Sequence, residues 1–254
     1  VSKFSIYELP LNERIRTFLR LEFLFEQALH SLRGYSKWDS RFTISSILEI
    51  SNILARLDLR TELLKELDRQ KKAIQALSSI PGVDLQILQE TLASLNEKTQ
   101  LLLTGVPNAD PFKGNELLKM IRQRESIPGG TCDFDVPVYH HWLGRPPEER
   151  ITSLEMWLNH FDVYRATLLV LLKNLRESAA LVSVTAKEGF YQQGLDSNSP
   201  AQLVRVFLEA DSYYYAELSG GKHRFSVRFM TTENYERPIP FSENISFQLA
   251  CCVL

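Results

Sequence analysis

Apolar residues recur every three to four positions from Leu11 to about residue 177, and every second position from there to the end of the chain. The first period belongs to helices and the second to strands, so one chain must build two kinds of layer in sequence. Leu11, Ile15, Phe18, Leu19, Phe25, Leu29 and Leu32 trace one face of a long helix that Gly34 ends. Ile47, Leu48, Ile50, Ile53, Leu54 and Leu57 mark a second helix; Leu63, Leu67, Ile74 and Leu77 mark a third that stops before Pro81-Gly82. Asp84 suits the N-cap of a fourth, closed by Gly105 and Pro107. A shorter helix covers about 114–124, and SIPGG at 126–130 signals a turn. Pro147 followed by Glu148 and Glu149 reads as a helix start, with acids near the positive end of the dipole. The stripe beyond it reaches about residue 177, as one helix or as two parted near Asn159.

After Ser178 the runs ALVSVTA, QLVRVFLEA, YYYAEL, HRFSVRFMT and ISFQLACC alternate as strands do, and Ser219-Gly220-Gly221-Lys222 joins two of them as a hairpin turn. Phe225, Val227 and Phe229 share one face of the strand after that turn, leaving Arg224, Ser226 and Arg228 on the other. The apolar face is expected to pack on the helices, with the arginines in solvent. The opening run KFSIYEL, ended by Pro10, is a further strand that needs a sheet to join. The fold class expected is α+β: a large, mostly helical domain packed against a smaller antiparallel β-sheet domain. The expected division is an N-terminal strand at 1–9 joining the C-terminal sheet, a helical domain at 10–178 and a β domain at 179–254.

Hydrophobic residues make up 44% of the 254 and charged ones 24%, which excludes a disordered or fibrous chain. No run approaches the roughly 18 apolar residues of a spanning helix, since Lys173 breaks the densest. Three cysteines, with Cys251 and Cys252 adjacent, make no disulfide framework, and the N-terminus has no basic region before an apolar core. The expected setting is the cytoplasm. No dinucleotide, phosphate-loop or nucleophile-elbow motif occurs. His140 and His141 diverge in either a helix or a strand, and no ligand set is completed by Cys132, so one packed and one exposed histidine are expected rather than a metal. The carboxylate pairs Glu62/Glu66 and Glu148/Glu149 are expected on solvated helix faces. We expect no catalytic residues, no metal and no cofactor.

Charge distribution is more informative. Residues 113–124 carry Lys113, Lys119, Arg122 and Arg124 against Glu116 alone, residues 219–230 carry Lys222, Arg224 and Arg228 without an acid, and the first helix adds Arg14, Arg16 and Arg20. For any one arginine, pairing with a nearby acid is the ordinary role. Together the three segments would suit a groove for an acidic or carboxylate-bearing peptide. A nucleic-acid-binding regulator using the same basic groove is the alternative, weakened by a formal net charge of −2 and the lack of an RNA-recognition motif.

Five stretches take the reading further: PLNERIRTFLRLEFLF at 10–25, RTELLKELDRQ at 60–70, IRQRESIPGGTCDFD at 121–135, GFYQ at 189–192 and GGKHRFSVRFM at 220–230. In this order, over essentially the whole chain, they resemble the ZapD family of Z-ring-associated bacterial division proteins. The resemblance implies a non-enzymatic cytoplasmic homodimer at the mid-cell division site. Such a protein would bind the C-terminal tail of FtsZ, the tubulin-like division GTPase, and bundle its filaments. It also implies tail-binding roles for Arg20, Arg56, His140, Arg224 and Arg228, to which the charge pattern adds Arg16, Arg122, Arg124 and Lys222 as a further basic rim. Glu116 departs from the family, which carries a basic residue at that position.

Overall fold

The computed structural model describes residues 3–79, 81–105, 112, 114–232 and 236–254; Pro107 and Lys113 lie outside them. Among the described residues the chain forms eight helices and two antiparallel sheets, the α+β class that the change of period implies. Two compact units emerge, one of residues 1–19 with 171–254, the other of residues 20–170.

In the helical unit, α1 (Glu13–Leu32, whose first turns belong to the other unit) is followed by α2 (Lys37–Arg56). Ser36 starts α2 with a capping box, accepting from the Asp39 amide while Asp39 accepts from Ser36 N. The buried face of α2 is partly polar. Thr43 Oγ1 donates to Ser31 Oγ on α1 at 2.9 Å, and Gln27 Nε2 to Ser46 Oγ at 2.8 Å, so no buried hydroxyl is left without a partner there. The sequence period marks α2 only from Ile47, because these packed hydroxyls carry no apolar signal.

Next come α3 (Leu59–Leu77) and α4 (Leu85–Thr104), which pack together, with Lys71 Nζ donating to Thr99 Oγ1 at 3.1 Å and Arg60 to the Leu103 carbonyl at 2.8 Å. Asp84 caps α4 as expected, accepting from the amides of Gln86 and Ile87. After α5 (Glu116–Arg124) and α6 (Pro137–Leu143), the long apolar stripe resolves into α7 (Pro147–Asn159) and α8 (Asp162–Glu177). Pro147 stands in the first turn of α7. No described helix is long and apolar enough to cross a membrane.

The other unit contains β1 (Phe4–Pro10), β2 (Val182–Ala186), β3 (Phe190–Gly194), β4 (Leu203–Glu209), β5 (Tyr215–Gly220), β6 (Arg224–Thr231), β7 (Ile239–Pro240) and β8 (Ile245–Cys252). One sheet runs β1-β4-β8-β2; the other runs β3-β6-β5, with β7 also beside β6. The opening strand joins the first sheet through β4, in the register Phe4 to Glu209 and Pro10 to Leu203.

The expectation that β6 packs on the helices is corrected. Phe225, Val227 and Phe229 are buried against Val206, Leu208, Phe247 and Leu249 of the other sheet, which makes this unit a sandwich. Alternation shows which face of a strand is dry but not what lies opposite it. β4 reads LVRVFLE, almost apolar throughout, because both of its faces are covered. Gly189, of the GFYQ stretch, has a φ of +69°, and a Cβ there would collide with the carbonyl oxygen of Phe241, so only glycine passes.

Glu8 ties three elements of this unit together. Its carboxylate accepts from Arg176 Nε and Nη2 on α8 at 2.9 and 2.8 Å, and from Arg205 Nε on β4 at 2.8 Å. Burial pushes the Glu8 carboxyl up, but the hydrogen bonds and charges of Arg176 and Arg205 outweigh it and hold it below the usual range. A carboxyl depressed by folding stabilises the fold fully above its unfolded pKa, about 4.3, and loses that contribution as pH falls through the folded value. Glu8→Gln is therefore expected to cost about 2 kcal/mol at pH 7 and less at pH 3. Urea midpoints of both proteins at the two pH values check this; an equal loss at both would contradict it.

Candidate functional site

The basic residues singled out by sequence divide between the units. Arg20, Arg56, Arg122, Arg124 and His140 lie in the helical unit; Arg16, Lys222, Arg224 and Arg228 lie in the other. Arg224 and Arg228 stand on the solvent face of β6, both exposed, and β pairing sets Arg228 opposite Glu217 of β5 and Phe190 of β3. They are four residues apart, about 13 Å along a strand. Between them Ser226 meets Ser219 across the hairpin at 2.9 Å, which fixes the register on that face. Neither arginine forms an ion pair with a carboxylate among the described residues, and the same holds for exposed Lys222, Arg20 and Arg56.

The other candidates have local partners. Arg16 meets Glu13 at 3.1 Å, Arg124 meets Asp135 at 3.3 Å, and Arg122 donates to Ser51 Oγ at 2.8 Å. His140 Nδ1 lies 2.8 Å from Asp133. Asp133 and Asp135 belong to the same turn, so the loop before α6 brings His140 and Arg124 onto one short acidic stretch. Glu116 is exposed and faces Lys119 at 3.5 Å.

Two expectations need correction. His140 and His141 are both exposed, since a seven-residue helix buries only its Tyr139 and Leu143 side here. Glu66 is fully buried rather than solvated. It falls on the dry stripe of α3 with Leu63, Leu67, Gln70 and Ile74, and accepts from Arg69 Nε at 2.9 Å and Gln70 Nε2 at 3.2 Å. Among the described residues no group of three or more His, Cys, Asp or Glu could hold a metal ion.

One feature of the helical unit was not legible beforehand. A cleft of about 890 Å³ lies between the end of α1, the first half of α2 and the PGG turn, with Arg33, Trp38, Arg41, Phe42, Ile127 and Tyr139 among its walls. Trp38, Arg41 and Phe42 follow one face of α2. The Arg41 guanidinium lies 4.7 Å from the Tyr139 ring centroid and 5.6 Å from that of Trp38, and donates to the Thr131 carbonyl at 3.1 Å and hydroxyl at 3.2 Å. Burial pushes the Tyr139 hydroxyl up to about 12, so it stays protonated under the cation. The available sequence signal was the capping box of Ser36 and Asp39, which starts α2 early enough to put Trp38 in its first turn.

Comparison with known proteins places the chain among cell division proteins. The ZapD family, described as cell division protein, matches residues 19–228. The chain is 42% identical over 251 residues to the cell division protein ZapD of Methylococcus capsulatus, covering 98% of each chain. It is 35% identical over 247 residues to that of Escherichia coli O1:K1, covering 97% of this chain and 98% of the relative. The chain belongs to the ZapD family.

Proposed function

We propose that this protein binds the C-terminal tail of FtsZ and, as a homodimer, cross-links FtsZ filaments into bundles that stabilise the Z ring at mid-cell in the cytoplasm. The observation that carries the reading is the pair Arg224 and Arg228, exposed on β6 with no carboxylate among the described residues to neutralise them. Arg20 and Arg56 share that condition, and His140 is exposed beside Asp133. No catalytic role is proposed. Two guanidinium groups on a rigid strand suit the carboxylates of an extended acidic peptide, because each holds a planar fork of donors.

A flexible tail loses entropy on capture, so a single site binds weakly. A two-fold dimer carries two such sites, and a filament offers many tails. Once one tail is held, the next binds at a high effective concentration, and bridging emerges from weak contacts. Exposed charges are screened over a Debye length of about 8–10 Å, so bundling falls as salt rises.

Sedimentation of GTP-assembled FtsZ with this protein tests the reading. Co-pelleting and bundling are expected with full-length FtsZ and not with FtsZ lacking its tail. Equal co-pelleting of both would contradict tail recognition. No co-pelleting at low salt would overturn the reading and leave nucleic acid as the next ligand to test.

A further inference from the structure

The β3-β6-β5 sheet turns one face to the other sheet and the opposite face to solvent, and that solvent face is built in rows. Pairing sets Phe190 of β3, Arg228 of β6 and Glu217 of β5 side by side in one row, with Gln192, Ser226 and Ser219 in the next. Arg224 stands in the row beyond, opposite Gly194, which raises no side chain beside it. The two arginines therefore have different neighbours. Arg228 lies between an aromatic ring and a carboxylate, and Arg224 has neither.

Phe190 is 42% exposed, yet its backbone is fixed. Its amide donates to the Lys187 carbonyl at 2.9 Å, and its carbonyl accepts from Lys187 N at 3.0 Å. Phe229 N donates to the Gly189 carbonyl at 2.8 Å, so Phe190 and Arg228 form the closer, non-hydrogen-bonded kind of cross-strand pair. Arg228 and Glu217 then form the wider, hydrogen-bonded kind. A ring held on such a backbone needs little further ordering to receive an apolar side chain. Glu217 is the sole acid within β3, β5 and β6, which also carry Arg224 and Arg228, and the hairpin turn adds exposed Lys222 and His223. The surplus is positive and complements an acidic peptide. All of these residues belong to one unit.

We propose that Phe190 and Glu217 set the specificity of this face for the captured tail. A bulky apolar side chain of the acidic peptide lies on Phe190 while a neighbouring carboxylate pairs with Arg228. Glu217, about 10 Å from Phe190 on the far side of Arg228, repels carboxylates from the β5 side and keeps the affinity down. The assignment rests on the tail-binding reading above. It adds to the β6 arginines one apolar contact and one opposing charge, so the face takes a peptide that is acidic and apolar together and disfavours one that is acidic throughout.

The test titrates the full chain into a fluorescently labelled FtsZ C-terminal tail peptide and reads anisotropy for wild type, Phe190→Ala and Glu217→Gln. Both side chains face solvent, so the fold survives the changes, and circular dichroism verifies it. Phe190→Ala is expected to weaken binding about fivefold with the salt dependence retained. Glu217→Gln is expected to strengthen it about threefold at low salt, a gain that fades as salt rises. A tail peptide whose bulky apolar residues are replaced by alanine should bind wild type and Phe190→Ala equally, as a double-mutant cycle requires of interacting groups. If wild type binds the tail peptide and Phe190→Ala matches it, or Glu217→Gln brings no gain at low salt, the assignment is overturned while tail binding stands. If wild type does not bind the peptide, the tail-binding reading fails, and this assignment with it.

Discussion

Arg150→Met is expected to destabilise the protein by about 3 kcal/mol and lower the melting temperature of the helical unit by roughly 6–12 °C. Arg150 is only 3% exposed on α7, yet it is charged. Its guanidinium donates to the Tyr35 carbonyl at 2.7 Å, the Ser36 carbonyl at 3.1 Å, Ser40 Oγ at 2.6 Å and the Arg145 carbonyl at 3.2 Å. Two of these acceptors form the link between α1 and α2, where the Ser36 carbonyl also takes the first helical bond of α2 from Ser40 N at 3.3 Å while Arg150 holds the Tyr35 carbonyl. Methionine keeps most of the volume but donates nothing. Each buried acceptor left unpaired costs about 1–3 kcal/mol, with some relief from solvent at the loop. Arg150→Lys keeps the charge but lacks the planar fork, so a loss of about half that size is expected. Thermal melts followed by circular dichroism check both, and a shift below 2 °C for the methionine variant would contradict this account of the loop.

Much of this was readable before the structure was known, for identifiable reasons. α1 and α4 declare themselves because their buried faces are apolar and their ends carry standard caps, as Asp84 shows. Arg224 and Arg228 were placed in solvent by the alternation of β6 alone, since Phe225, Val227 and Phe229 fix the other face. The rest depends on partners distant in sequence. Ser40, Thr43 and Ser46 look like surface residues until Arg150, Ser31 and Gln27 are brought against them. β3, with its two glutamines, is too polar to stand out, and the two-residue β7 is too short. Nor does a strand's pattern say whether a helix or a second sheet will cover it. The aromatic cleft is hidden for the same reason, since it exists only once the turn at 126–130 and Tyr139 are brought beside α2.

Arg224→Ala combined with Arg228→Ala carries the second large effect. Both side chains are exposed and hold no carboxylate among the described residues, so the fold loses little when they are truncated. A peptide carboxylate bound to each arginine would lose a charge-assisted hydrogen bond worth about 1.5–3 kcal/mol in a dry site and less at an exposed rim. Together they correspond to an expected loss of at least tenfold in affinity, at about 1.4 kcal/mol per decade.

The most direct measurement is the anisotropy of a labelled FtsZ C-terminal tail peptide titrated with wild type and with this double variant at low and moderate salt. Saturable binding by wild type that weakens with salt, and at least a tenfold loss in the folded variant, is the predicted result. Equal binding by the two proteins, or no binding by wild type at low salt, would contradict the claim that these arginines read the tail.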